Sequence, residues 1–250
     1  MRYSHPLHTS RKKNVLKNKR KTSLISLAWF AAIFAVLMLL VNVTKLDPGA
    51  MFGGFFVSLA RVTVAYVVSL ILAVGVSLLI TSNETLENAT LPVFDVLQSF
   101  PSFALFPALV VAIKSSEVII ISVLIIALIW PIMFSVIAGI KNRREDLEEA
   151  ATIFGAIGFK RLVYFTLPQL APTIVTGSIV GWGNAWELII GAELLVNAKI
   201  GIGSYLGVLG NSQQNLLLAF GIVVLMLLLF VINKLIWLPL LSSTTRYQSE

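Results

Sequence analysis

The sequence contains no cysteine, which excludes disulfides, thiolate metal sites and cysteine nucleophiles. Its two histidines, His5 and His8, both lie in the N-terminal tail, so no histidine catalytic pair or zinc site is available further along the chain. Charge is scarce: 12% of the 250 residues are charged, against about 25% in an ordinary soluble domain. No G-x-x-x-x-G-K-[ST] phosphate-binding loop occurs. No nucleophile–base set, metal cluster or cofactor box is apparent, and the chain is not expected to be an enzyme.

What is abundant is apolar. These residues make up 57% of the chain and fall in runs near twenty long, the length that crosses roughly 30 Å of hydrocarbon as helix. The expected fold class is all-α, a polytopic membrane protein of about six transmembrane helices. The spans are drawn at 24–43, 55–80, 96–113, 118–140, 173–196 and 216–240, the third being irregular because of Pro101 and Pro107. The first is too long for a usual signal-peptide core and no small-x-small cleavage site follows it.

The net charge is +7, and eight basic residues crowd into positions 1–21. That tail abuts an apolar segment directly, so it reads as a topology signal touching anionic lipid head groups rather than as a nucleic-acid arm. With the N-terminus inside, the inner segments carry most of the Lys and Arg residues, while the outer loops hold Lys45, Lys114 and Lys199. The positive-inside rule therefore predicts a multi-pass protein of the inner or plasma membrane with both termini cytoplasmic. The organisation expected is a basic cytoplasmic tail (1–23), a first transmembrane helix with its outer loop (24–54), a five-helix core (55–240) with a cytoplasmic loop at 141–168, and a cytoplasmic C-terminal tail (241–250).

Two ladders of small residues, Ala65-Ser69-Ala73-Ser77 and Gly177-Gly181-Ala185, recur every four residues. Each lies on one helix face and lets backbones approach closely. They predict helix packing, within the subunit or across a dimer.

The 141–168 loop is too patterned for a linker. Asp146–Phe154 can form a short helix with acidic residues in its first turn, where the helix dipole favours them. Leu147, Ala150, Ala151 and Phe154 make an apolar stripe at i, i+3, i+4, i+7. Gly155 can end this helix, and Gly158 permits a sharp turn into a second amphipathic piece. Pro168 suits the first turn of the next span, where its missing N–H costs nothing. A helix this short needs a surface to bury its stripe. Amphipathicity alone leaves that surface as either protein or lipid head groups.

The run Glu149-Ala150-Ala151, three residues, Gly155, nine residues, Phe165-Thr166-Leu167-Pro168 resembles the EAA signature of binding-protein-dependent ABC importer permeases. Ser58-Leu59-Ala60-Arg61, Phe100-Pro101 with Pro107, and Ala185-Trp186 with Ala192-Glu193 look like the nitrate/sulfonate/taurine/bicarbonate branch. The resemblance covers about residues 55–240 and implies a type I importer permease fold. It implies two such subunits, identical or related, around one pathway, and an extracytoplasmic substrate-binding protein. A cytoplasmic ATPase, holding ATP and Mg²⁺, would receive the loop at Glu149, Ala150, Ala151, Phe154, Gly155, Leu167 and Pro168. This chain itself would carry no cofactor and no metal.

Span five also carries Glu187 and Glu193. A carboxylate at the bilayer centre costs about 2.5–3.5 kcal/mol on insertion scales, so it needs a role or a partner. Spacing puts Trp182, Trp186 and Glu193 on one face and Asn184, Glu187 and Gly191 on another. Glu187 lies deeper and is the better candidate for a polar cavity. Glu193, near the outer end, is expected to reach water or brace the helix. Arg61 is an available partner for either. The residues considered for a translocation pathway are Asn184, Trp186, Glu187, Glu193 and Arg61. An ion-gradient-driven secondary transporter using Glu187 as its cation or proton site is the alternative.

Overall fold

A computed structural model describes residues 46–143, 151–153 and 155–245, with the positions 32, 35, 36 and 39 ahead of them. The basic tail, most of the expected first span, Leu147, Glu149, Ala150, Phe154 and residues 246–250 lie outside the described residues. Every regular element among the described residues is helical. Among the described residues four stretches, Pro48–Ile80, Ser116–Lys141, Gly158–Leu195 and Asn215–Thr244, are long and apolar enough to cross a membrane. Spans two, four, five and six fall on them.

Helix α1 (Pro48–Ile80) starts seven residues before the expected span, so residues 48–54 belong to the helix rather than to an outer loop. The cause is local. Asp47 accepts the Ala50 N–H at 3.1 Å as N-cap, and Pro48 occupies the first turn.

The third span is corrected more deeply. Instead of one irregular helix over 96–113, α2 (Glu84–Ser99) leads through a 3₁₀ turn at Ser102–Leu105 into α3 (Phe106–Ala112), and the two helical segments meet at a bend of 84°. Asn83 caps α2 by accepting the Thr85 N–H at 2.8 Å, and Glu84 and Glu87 complement the dipole in its first turn. The bend falls at Pro101, which cannot continue the hydrogen-bond ladder and holds the preceding residue extended. An ion pair from Lys141 to Glu87 and an edge-on contact of Phe94 with Trp130 at 5.8 Å tie α2 to the helix of the fourth span.

Helix α4 (Ser116–Lys141) is the spine, with α1 on one side and the fifth span on the other. The small-residue ladders explain both contacts. Ala65, Ser69, Ala73 and Ser77 are all buried, and the two serine hydroxyls donate to the carbonyls of Ile125 (3.3 Å) and Met133 (3.2 Å) on α4. On the other side, a Cβ at Gly177 would stand 2.7 Å from the Pro131 carbonyl oxygen. Both ladders thus serve packing within the subunit.

After the loop, α5 (Gly158–Arg161) runs through a π turn at Leu162–Thr166 into α6 (Leu167–Leu195), one continuous stretch of 38 residues. A short helix, α7 (Ile202–Asn211), follows, then α8 (Asn215–Ile232), a second π turn at Asn233–Trp237 and α9 (Leu238–Thr245). Both π turns stand directly before a Leu-Pro pair, Leu167-Pro168 and Leu238-Pro239. Proline has no N–H for the carbonyl four residues back and its ring collides with that carbonyl. The preceding turn widens instead: the Leu167 and Leu238 N–H groups donate five residues back, to Leu162 and Asn233. The second π turn leaves Trp237 buried against Tyr66 (5.7 Å) and Trp182 (5.6 Å), which joins α1, α6 and the last span.

Candidate functional site

The five residues considered for a pathway separate into two places. Arg61, Trp186 and Glu193 are buried inside the subunit, while Asn184 and Glu187 are exposed on another face of α6. Both faces follow the spacing in the sequence, but the buried one packs the core rather than lining a path. Trp186 stacks on Phe55 at 5.4 Å with the rings 14° apart.

Glu193 is fully buried. Its carboxylate accepts from Arg61 Nη1 at 2.8 Å, Ser58 Oγ at 2.6 Å and the Gly203 N–H at 2.8 Å. Arg61 also donates to the Ile200 carbonyl at 2.7 Å and pairs through Nε (2.8 Å) and Nη2 with Glu117, at the start of α4. Ser58 Oγ in turn accepts the Ile202 N–H at 2.9 Å. One guanidinium and one buried carboxylate therefore fasten the connection before α7 to α1, α4 and α6. The backbones meet closely there: a Cβ at Gly54 would lie 2.8 Å from the Gly201 carbonyl oxygen. Glu117 was missed in the sequence. Its signal was a lone acid just ahead of span four, at the end of the bundle where Arg61 also lies. Beyond the spans, burial pushes the Tyr205 phenol above its ordinary pKa, opposed by a hydrogen bond with the Asp47 backbone.

The other face of α6 carries Thr176, Val180, Gly183, Asn184 and Glu187, all exposed. Glu187 lies eight residues before the end of α6, about 12 Å along the axis at 1.5 Å per residue. A carboxylate at that depth facing lipid would cost about 2.5–3.5 kcal/mol, so this face calls for water or protein against it. Its lower end opens into a cavity of about 880 Å³ beside the 141–168 loop, lined by Ser135, Asn142, Tyr164, Gln169, Thr173 and Thr176 among others. At the other end of the face the Phe103 ring stands over Gly191.

Of the loop residues, Ala151, Gly155, Leu167 and Pro168 are described. Ala151 is 3% exposed, turned into its own chain, whereas Ile153, Ile157 and Phe159 are exposed. Gly155 has φ +70°, a conformation that L side chains rarely adopt. Its N–H donates to Thr152 O and that of Ala156 to Ala151 O, both at 3.0 Å, the paired bonds of a Schellman stop. Gly158, at φ +56°, makes the second turn into α5.

The sequence model described as "Binding-protein-dependent transport system inner membrane component" matches residues 65–238, more than half of the chain. The nitrate import permease protein NrtB of Leptolyngbya laminosa is 31% identical over 182 residues, 72% of this chain and 64% of that protein. The bicarbonate transport system permease protein CmpB of Synechococcus elongatus is 28% identical over 64% of this chain and 59% of its own length. The taurine transport system permease protein TauC of Escherichia coli is 25% identical over 70% of this chain and 64% of its own length. The chain thus spans about three fifths of the length of these relatives.

Proposed function

The chain belongs to the family of binding-protein-dependent transport system inner membrane components, and on that premise we propose that it is the permease subunit of an ATP-driven importer, coupled to a separate ATPase through its 141–168 loop. As a family of transport permeases, the group is not one of enzymes, and its members are multi-pass membrane proteins. In this reading both termini and the loop are cytoplasmic. ATP and Mg²⁺ bind on the partner ATPase. A second permease subunit, identical or related, stands across the pathway from the α6 face that carries Asn184 and Glu187. An extracytoplasmic binding protein delivers the substrate, a small solute of the kind named for the relatives: nitrate, bicarbonate or taurine.

The observation that carries the coupling is continuity. The Schellman stop at Gly155 leaves Ile153, Ile157 and Phe159 exposed, and α5 then runs without a break into α6. Force on the loop is thereby delivered to the helix that bears Glu187. Ala151, buried in its own chain, supports the turn from within. In this reading Glu149, Ala150 and Phe154 contact the ATPase as well.

Affinity purification of the chain with its ATPase tests the reading. Glu149→Lys and Gly155→Asp variants, inserted normally, should lose the ATPase and ATP-dependent uptake. Full uptake by both variants would remove the loop from its assigned role. The exposed Glu187 is the observation that favours a gradient-driven transporter instead; uptake by this chain alone, without ATP, would support it.

A further inference from the structure

The exposed polar face of α6 is open at one end and obstructed at the other. From the 880 Å³ cavity it rises through Thr176, Val180, Asn184 and Glu187 and meets Gly191 one turn later. There the Phe103 ring leaves no room for a side chain. A Cβ at Gly191 would stand 3.1 Å from one ring-edge carbon, Cε1, and 3.4 Å from the other, Cε2, with the ring tip closer still. Phe103 does not come from a regular span. It sits in the 3₁₀ turn Ser102–Leu105, at the 84° bend, between Pro101 and Pro107, and is 39% exposed. Non-helical backbone at membrane depth is tolerated where protein covers it or where it lines a cavity. An apolar ring across a narrow polar path excludes water and closes it to hydrophilic solutes.

We propose that Phe103, seated on Gly191, is the plug that closes the outer end of the Glu187 path to small hydrophilic solutes, and that the path opens when the Ser102–Leu105 turn lifts the ring from Gly191. The assignment rests on α6 being the pathway helix. It gives the glycine a function: the missing side chain is the seat. It also gives the bend a function, since a continuous helix over 96–113 would have no separate segment able to move.

The absence of native cysteine makes a direct test available. Glu187→Cys is introduced into the chain assembled with its ATPase, and a membrane-impermeant maleimide is added from one side at a time, without nucleotide. With Phe103 present, labelling should be fast from the cytoplasmic side and slow from outside. Phe103→Ala should raise outside labelling about tenfold, the factor equivalent to roughly 1.4 kcal/mol of lost closure. Gly191→Ala, which pushes the ring from its seat with Phe103 intact, should do the same, and Phe103→Leu should keep the slow rate. Cytoplasmic labelling that persists while both Phe103→Ala and Gly191→Ala leave outside labelling slow would overturn the plug and leave the pathway reading standing. Fast outside labelling with Phe103 intact would also overturn the plug. Labelling from neither side would overturn both the plug and the pathway reading.

Discussion

Arg61 Nη1 stands 2.8 Å from Glu193 Oε1, although 132 residues separate them in the chain. Ser58 reaches the same carboxylate oxygen. Two short segments that look like one branch of importer permeases, Ser58–Arg61 and Ala192-Glu193, thus meet at a single buried ion pair. That pair, extended by Glu117 and the Gly203 N–H, fixes the connection before α7 to three spans.

Losing Arg61 leaves the buried Glu193 carboxylate without its cation, whereas losing Glu193 leaves Arg61 its ion pair with Glu117. Arg61→Ala should therefore destabilise the chain by about 3–5 kcal/mol and Glu193→Ala by clearly less, read as thermal unfolding in detergent. The double variant should cost clearly less than the two together, because neither charge is then stranded. Strict additivity would show that the two side chains do not act on each other.

The Gly177 contact predicts a contrast between two glycines of one helix. Gly177→Leu places a side chain against the Pro131 carbonyl and the Ser135 side chain and should cost about 1–3 kcal/mol by overpacking. Gly183→Ala points into open space and should not destabilise the isolated subunit, the helix gaining about 0.5–1 kcal/mol. Equal effects would mean that α4 and α6 do not pack as described.

At Gly155 the requirement is conformational. With φ at +70°, a β-branched residue there should cost about 1–2 kcal/mol, whereas asparagine tolerates the left-handed region. Gly155→Val should therefore reduce ATPase co-purification strongly and Gly155→Asn only slightly. The order of the two variants is the result to check, by pull-down at equal membrane levels.

Glu187 separates a water-lined or subunit-covered face from a lipid face. Glu187→Leu should leave the subunit folded and lower transport by about tenfold, equivalent to roughly 1.4 kcal/mol in the barrier. A variant that folds and transports as before would mean that the face meets lipid or that the carboxylate is idle.

Four of the spans were legible from hydropathy because their apolar runs are long. Periodicity also separated Trp182, Trp186 and Glu193 from Asn184 and Glu187. The errors came from local signals outweighed by hydropathy. Asp47-Pro48 and Asn83-Glu84 are helix starts, yet polar residues around 84–95 read as a connection. The 3₁₀ turn and bend at Pro101 needed three-dimensional context, because proline at a span can kink it mildly or break it. Glu117 was invisible as a site residue, since its meaning depends on Arg61 lying opposite, a contact 56 residues away. The π turns before Pro168 and Pro239 were missed as well, although both stand before the same Leu-Pro pair.

The most direct test of coupling is uptake in proteoliposomes containing this chain with its ATPase and binding protein, supplied with labelled nitrate, bicarbonate or taurine. Uptake of one of them that needs ATP and disappears in Gly155→Asp is the predicted result. Uptake driven by an imposed ion gradient, with this chain alone and no ATP, would contradict it.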